Sequence, residues 1–174
     1  MALHEIAFLF CDMAYQVIAY QEKYQQGVID LILPIQQKEF NVPITIQDQP
    51  DLQSIISFYM KGNGNFWVAL SQEQVVGTIA LVDIGNDQVA LRKMFVHRDH
   101  RGQEKGVAQL LFDTLATWCK QKAVKEVLLG TIDSMRAAHR FYGKNGFNEV
   151  LKTDLPSNFP IMRVDNKFYK WNVS

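Results

Sequence analysis

The chain has 174 residues, enough for one domain that buries about 70% of its unfolded surface. Hydrophobic residues make up 48% of the chain and charged residues 21%, the balance of an ordinary soluble globular protein. Eighteen basic and eighteen acidic side chains cancel. This neutrality argues against nucleic acid as the main partner, because such proteins carry a basic footprint for the phosphate backbone.

The N-terminal segment and the two cysteines bear on compartment. Residues 1–14 are apolar but are interrupted by Glu5 and Asp12, so they predict neither a signal peptide nor a membrane span. We interpret residues 1–14 as an arm to which the pattern assigns no structure, and as a candidate element of a homodimer. Residues 15–174 are interpreted as a single domain. Cys11 and Cys119 lack metal or redox spacing, and reduced thiols in a cytoplasmic protein are the simplest interpretation.

The first half of the domain predicts a strand, two helices and a meander. The run QVIAY (16–20) is strand-like, and residues 24–40 have helical periodicity that Pro34 should kink or break. A shorter helical pattern follows Pro50. Three strand-like runs come next, NFWVALS, QVVGTIALVDIG and QVALRKMFVH, separated by short polar or glycine-containing turns. This arrangement predicts an antiparallel meander.

The second half alternates helices with strands. An amphipathic helix is predicted over 106–122, with Cys119 as a buried core thiol, and EVLLGT (126–131) is apolar enough for a buried parallel strand. A second helix should begin at a Ser134 cap and stop at Asn145-Gly146. The runs FNEVLKT and RVDNKFYKWNV predict a closing antiparallel pair, the last strand lying at an edge. The whole order predicts a mixed α/β, α+β-like fold.

The loop before the amphipathic helix predicts an anion site. A helix N-terminus leaves backbone N–H groups unpaired and carries partial positive charge, and Gly102 and Gly106 permit close approach of a phosphate. Arg98, Arg101 and Lys105 add positive charge there. The loop lacks the Gly-Lys-Ser/Thr of a Walker loop and the GxGxxG of a dinucleotide site. The helix N-terminus, the glycines and the basic residues predict a pyrophosphate as the ligand, but neither motif identifies its kind, and the alternative is a glycine turn that only begins a helix.

Two motifs in this region resemble one known superfamily. QEKGVA (103–108) is similar to the Gln/Arg-x-x-Gly-x-Gly/Ala acyl-CoA signature of the GNAT N-acetyltransferases, and AAHRFYGKNGF (137–147) resembles their Ala-x-x-x-Tyr-x-x-x-Gly-Phe motif. The order of strands and helices from about Gln16 also matches. The resemblance implies a central, mostly antiparallel sheet with one splayed parallel strand pair, flanked by helices. Two departures are the ending of the signature in Ala108 and a slightly longer stretch after Val96.

The resemblance also implies acetyl-CoA as cosubstrate and a set of residues that bind it. The pyrophosphate would lie on the N–H groups of 103–108, and the pantetheine arm would enter the strand splay near Phe95 and Val96. The implied cofactor-binding residues are Phe95, Val96, Arg101, Gly102, Gln103, Glu104, Lys105, Gly106, Val107 and Ala108. Tyr142 resembles the acid that protonates the departing thiolate. The alternative role for Tyr142 is core packing.

The implied reaction is direct attack of a primary amine on acetyl-CoA in a ternary complex. Many members carry a glutamate base on the strand before the loop, where this chain has Arg92 and Lys93. Asp83, Glu39 and water remain candidates, and we assign no base. The missing strand carboxylate motivates an alternative, a catalytically silent acyl-CoA-binding sensor. A third hypothesis is a nucleotide or dinucleotide binder.

The same interpretation of the sequence gives the expected partners. The acceptor is expected to be a small-molecule or peptide amine, which the sequence does not identify further. We expect no nucleic-acid partner and no membrane partner. We also expect no metal, because the pair His97 and His100 is flanked by Arg98 and Arg101, whose positive field opposes a dication.

Overall fold

The computed structural model describes residues 14–174, so Cys11 and the rest of the predicted arm before Ala14 lie outside the described residues. The elements in chain order are β1 (Gln16–Ala19), α1 (Gln25–Pro34), α2 (Pro50–Gln53), α3 (Ile55–Tyr59), β2 (Asn65–Ser71), β3 (Gln74–Gly85), β4 (Gln88–Val96), α4 (Val107–Gln121), β5 (Glu126–Thr131), α5 (Arg136–Lys144), β6 (Asn148–Val150) and β7 (Lys167–Asn172). Within this part of the chain, no helix is both long enough and apolar enough to cross a bilayer.

The seven strands form one sheet in the order β1-β2-β3-β4-β5-β7-β6. Strands β4 and β5 are parallel, and the other neighbours are antiparallel. The predicted mixed fold with one parallel pair is confirmed. The predicted edge position of the C-terminal strand is wrong, because β7 inserts between β5 and β6. Six residues of β7 pair with β5, whereas the three-residue β6 is left at the edge.

The meander β2-β3-β4 is confirmed, and its turns are two-residue hairpins. Gln72 and Glu73 join β2 to β3, and Asn86 and Asp87 join β3 to β4, all with positive φ between 49° and 63°. This backbone matches the right-handed twist of paired strands. Asn and Asp adopt it readily.

The core has two layers because successive strand residues point to opposite faces of the sheet. Trp67, Ile79 and Leu81 lie on the face covered by α4 and α5, which we call the α4 face. Phe66, Val68 and Ala80 lie on the face covered by α1, α2 and α3, which we call the α1 face.

A β-bulge in β4 changes this alternation near the splay. Thr78 lies opposite Phe95 and Ala80 opposite Arg92, so Ile79 faces two residues, Lys93 and Met94. Lys93 has a φ of 52°. Leu91 and Met94 consequently both pack on the α4 face although they are three residues apart. Bulges of this kind are common next to active sites, where they re-aim side chains.

Three sequence predictions about the helices can be compared with the structure, and one of them, the Ser134 cap, is wrong. Pro34 is the last residue of α1 and is followed by a π-helical turn, Ile35–Glu39, as expected where proline removes an N–H donor. Ser134 does not cap α5; the helix begins at Arg136 and its N-cap residue, Met135, makes no side-chain cap bond. Cys119 is fully buried as predicted, and burial raises the pKa of its thiol to about 12.

Candidate active site

A cleft of about 1060 Å³ opens between the end of β4, the loop that begins α4, and helix α5. Eight of the ten predicted cofactor-binding residues line it: Phe95, Val96, Arg101, Gly102, Gln103, Lys105, Gly106 and Ala108. The other two do not. Glu104 is exposed and does not line the cleft. The Val107 side chain is buried in the core, so only its backbone belongs to the loop.

The cleft exists because β4 and β5 separate. Their ladder pairs only Gln88–Ala90 with Glu126–Leu128, so within residues 14–174 the remainder of β4 has no strand partner on that side. Phe95 and Val96 lie in this unpaired stretch, as the resemblance implies. The carbonyl of Val96 is already occupied, since it accepts a hydrogen bond from Arg101 Nε at 2.7 Å. A pantetheine amide that bound this carbonyl would compete with Arg101.

The loop geometry bears on the backbone N–H groups that were predicted to donate to a phosphate. Gly102 has a φ of 109° and Gly106, the N-cap residue of α4, has a φ of 66°, both in the region that favours glycine. The N–H groups of Lys105 and Gly106 donate to the carbonyl of Gly102 at 3.3 and 3.1 Å. The predicted donor range 103–108 therefore reduces to Gln103, Glu104, Val107 and Ala108 while this turn persists.

The basic side chains around the loop are partly neutralised. Arg101 forms two hydrogen bonds with the carboxylate of Glu39, at 2.8 and 3.1 Å, and the Lys105 ammonium donates to the carbonyl of Asp99. Arg140 and Lys144 of α5 add charge at the cleft and escaped the sequence analysis. Their four-residue spacing, which places both on one helix face, was the signal that would have found them.

Tyr142 presents its hydroxyl to the cleft from a buried ring. The residue is 6% exposed, and its ring packs against Phe147 and Tyr169 with centroids 5.6 and 5.8 Å away. Burial, with a smaller contribution from Tyr169, raises the pKa of Tyr142 well above its usual value. The hydroxyl makes no hydrogen bond within residues 14–174, where every fully buried polar side-chain atom has a partner. The oxygen is therefore open to the cleft.

The two carboxylates considered as bases are both engaged. Glu39 pairs with Arg101, as described. Asp83 accepts hydrogen bonds from the backbone N–H groups of Asn63 and Gly85, each at 2.8 Å. Each therefore has a structural role in the protein as it stands.

A buried charge cluster lies on the α1 face beside the bulge. The Lys93 ammonium is 3.2 Å from a carboxylate oxygen of Asp51, with side chains 7% and 9% exposed, and it also donates to Gln49. The Tyr59 hydroxyl donates to the same oxygen of Asp51 at 2.5 Å. Burial lowers the pKa of Lys93, more than the charge of Asp51 raises it. Sequence reasoning did not pair Asp51 with Lys93, because no local pattern links Asp51 to a strand so far along the chain.

The two histidines near the loop serve local structure. His100 Nδ1 and the hydroxyl of Tyr15 share a hydrogen bond of 2.9 Å, and the rings of His97 and His100 meet edge to face. Within the described range, no group of three or more His, Cys, Asp or Glu side chains has an arrangement that would hold a metal ion.

Comparison with known proteins identifies the family. The model described as "Acetyltransferase (GNAT) family" matches residues 29–147. A solved GNAT-family acetyltransferase from Staphylococcus aureus Mu50 is 40% identical, with a TM-score of 0.87, covering 92% of this chain and all of that one. A PaiA N-acetyltransferase from Thermoplasma acidophilum, solved in complex with coenzyme A, is 14% identical with a TM-score of 0.67. The match covers 91% of this chain and 98% of that one, and at this identity it supports only the shared fold.

A curated relative adds a more specific name. An N-acetylaspartate synthetase from Danio rerio is 38% identical over 106 residues, which are 60% of this chain and 37% of that protein. The chain thus spans less than half the length of that relative. The matched segment of the family model includes the loop, the splayed strands and Tyr142. The chain belongs to the GNAT acetyltransferase family.

Proposed function

We propose that the protein is an N-acetyltransferase that moves the acetyl group of acetyl-CoA to a primary amine by direct attack in a ternary complex. The observation that carries this proposal is the cleft itself. It joins the strand splay, a helix N-terminus with positive-φ glycines, and the tyrosine hydroxyl of α5 in one continuous space. Coenzyme A has the matching sequence of parts, a pyrophosphate, an extended arm and a terminal sulfur.

The loop and the splay would bind the cofactor. The pyrophosphate would accept hydrogen bonds from the free N–H groups at the start of α4, with Arg140 and Lys144 supplying charge from α5. The arm would run along the unpaired side of Phe95. An N–H group there would polarise the thioester carbonyl, an interaction worth about 3 kcal/mol in comparable oxyanion sites.

Tyr142 would protonate the departing thiolate. With ordinary pKa values near 10 for tyrosine and 8.5 for a thiol, the proton transfer is uphill by about 2 kcal/mol. Burial raises the pKa of Tyr142 and makes it a weaker acid still. The transfer therefore needs a thiolate that is also desolvated in the narrow splay, because desolvation raises the pKa of the sulfur in the same way.

The acceptor is a small-molecule amine in this proposal. The name of one relative, N-acetylaspartate synthetase, refers to an acetylated amino acid, which supports a small molecule over a protein amine. The second candidate function, a silent acyl-CoA sensor, is favoured by one observation. The strand positions where many family members carry a base hold Arg92 and Lys93, and Glu39 and Asp83 are engaged elsewhere.

The test combines binding with turnover. Calorimetric titration with acetyl-CoA and CoA, against NAD and ATP as comparators, should show binding of the first two only. Acetyl-CoA consumption should then be measured with a panel of amines for wild type and Tyr142→Phe. We expect kcat to fall about 10²–10⁴-fold in the variant, as for loss of a positioned acid, with unchanged affinity for CoA. Tyr24→Phe is the matched control, since that hydroxyl bonds to Glu73 away from the cleft.

Three results would contradict the proposal. Absence of acetyl-CoA binding would reduce the loop to a helix start. Binding without turnover for any amine would favour the sensor. Full turnover in Tyr142→Phe would leave the tyrosine a packing residue.

A further inference from the structure

Arg92 is a half-buried cation whose hydrogen-bonding capacity is poorly used. It lies on the α1 face of β4, one residue before the bulge and three before Phe95 at the cleft. Within the described residues its one side-chain hydrogen bond goes from Nη2 to the thioether sulfur of Met162 at 2.7 Å. A thioether is a weak acceptor, and a guanidinium has five N–H donors in a planar fork that fits a carboxylate.

The neighbouring cation, Lys93, does have a carboxylate partner. Lys93 is neutralised by Asp51, which is also fixed by the Tyr59 hydroxyl. Asp51 therefore pairs with Lys93, and no carboxylate of residues 14–174 forms an ion pair with Arg92. Arg92 and Lys93 are adjacent cations on one strand, so each repels further positive charge nearby. Beside burial, the charge of Arg92 contributes to lowering the pKa of Lys93.

Opposite charge lies just beyond Met162. The carboxylate of Asp165 accepts a hydrogen bond from the backbone N–H of Met162 at 2.9 Å. It rests on Gly130 of β5, so closely that a Cβ there would collide with it. Arg92 and Asp165 form no ion pair within 4.0 Å in the described structure. Burial raises the pKa of Asp165, and the hydrogen bond from Met162 and the charge of Arg92 oppose that rise. The Arg92 guanidinium and the Asp165 carboxylate therefore both contact Met162, one through its side chain and the other through its backbone.

Met162 belongs to a segment that covers this place loosely. Ile161, Met162 and Val164 are 43%, 40% and 46% exposed, an unusual run of apolar side chains on the surface. The segment lies between β6 and β7 and reaches the splayed ends of β4 and β5. Moving the Met162 thioether away from Arg92 would cost one weak hydrogen bond and would leave the guanidinium donors available to a ligand.

We propose that the amine acceptor carries a carboxylate close to its amine, as amino acids do. Arg92 binds this carboxylate in place of the Met162 thioether, and Asp165 faces the acceptor's ammonium. This inference rests on the proposed acetyltransferase function and adds the acceptor class. A separated cation and anion match the two charges of a free amino acid, whereas a polyamine would place its positive charges against Arg92 and Lys93.

The experiment compares acceptors that differ in one charge. The probes are the twenty amino acids, each paired with its α-carboxamide, and spermidine and a short peptide that begins with a free amine. Wild type should acetylate at least one amino acid with a kcat/KM at least about tenfold above that of its amide. In Arg92→Gln, KM for that amino acid should rise about 10- to 100-fold, the range expected for a hydrogen bond to a charged group, and the preference over the amide should disappear.

Two further variants separate binding from folding. Arg92→Lys keeps the charge and loses the bidentate fork, so the preference should persist at an intermediate level. Arg163→Gln is the matched control, because it removes an exposed arginine from the same segment, and it should leave the ratio of acid to amide unchanged. KM for acetyl-CoA should stay the same in every variant, which a general loss of structure would not allow.

The outcomes distinguish this inference from the function on which it rests. Equal or better acetylation of amides, spermidine or the peptide overturns the acceptor class and leaves the acetyltransferase in place. A preference for amino acids that survives Arg92→Gln overturns the role of Arg92. Binding of acetyl-CoA without acetylation of any probe overturns both.

Discussion

The buried pair of Lys93 and Asp51 makes a sharp prediction for Asp51→Asn. The substitution changes one oxygen to an amide nitrogen and keeps an oxygen that can accept from the Tyr59 hydroxyl. It removes the negative charge that lies 3.2 Å from the Lys93 ammonium. Lys93 would then retain Gln49 as its polar partner, inside a layer that is largely closed to water.

The expected cost follows from burial. Removing one partner of a buried ion pair typically costs about 3–5 kcal/mol, because the other charge stays behind without compensation. The side chains of Lys93 and Asp51 are 7% and 9% exposed, which places the pair in this class. For a chain of this size a loss of that amount lowers Tm by about 6–20 °C.

The assay is thermal and urea unfolding of Asp51→Asn, of Lys93→Met and of the double variant. Lys93→Met should cost less than Asp51→Asn, because the methionine fills the space of the lysine stem and Asp51 keeps the Tyr59 hydroxyl. The double variant removes both charges, so it should be more stable than Asp51→Asn alone. Asp87→Asn is the matched control: its pair with Lys125 is 2.8 Å long but 73% and 50% exposed, and its loss should cost less than about 1 kcal/mol.

Two results would refute this reasoning. A cost of less than about 1 kcal/mol for Asp51→Asn, equal to that of the exposed control, would mean that water reaches the pair. Additive losses in the double variant would mean that the two charges do not interact.

The remaining four predictions concern two glycines and the dependence of stability on pH. Gly143 lies inside α5 with open space where a Cβ would be, so Gly143→Ala should raise the free energy of unfolding, measured by urea titration, by about 0.4–1 kcal/mol. Gly106→Ala places a side chain at a φ of 66°, so in the same titration it should lower the free energy of unfolding by about 1–2 kcal/mol. Burial lowers the pKa of Lys93 in the folded protein below the value of 10.5 that it has in the unfolded chain. At pH values between these two pKa values the unfolded chain binds more protons, so stability should rise with pH. Lys93→Met should flatten this rise. Above pH 10 the raised pKa values of Tyr59 and Tyr142 reverse the sign, because the unfolded chain loses those protons first, and stability should fall; a rise continuing past pH 11 would contradict this.

Local patterns were enough to predict most of the sheet. The runs that became β2, β3 and β4 are apolar stretches of seven to twelve residues separated by short turns, so their pairing needs only neighbours in sequence. The apolar run that became β5 also predicted its parallel pairing. The position of β7 was wrong because strand order between distant segments depends on packing across the sheet, which a single run does not encode.

The cleft at the start of α4 was easier to predict from the sequence than the charged groups on the α1 face of β4. The loop and Tyr142 belong to two compact motifs, and each motif lies on one element. The charge cluster of Lys93 and Asp51 instead joins β4 to α2 across 42 positions of sequence, and the contact of Arg92 with Met162 joins residues 70 apart. Such contacts come from the tertiary fold, and the residues of either partner look ordinary in isolation.

The bulge at Lys93 gives the strand a fixed parity. Because one residue of β3 faces two of β4 there, Arg92 and Lys93 share the α1 face while Met94 returns to the α4 face. Deleting Lys93 would restore the regular alternation of β4, so Met94 and Phe95 would keep their faces, but the buried cation that pairs with Asp51 would be lost. The extra residue therefore lets β4 place a second cation on the α1 face without moving the cleft-lining residues Met94 and Phe95 to the other side of the sheet.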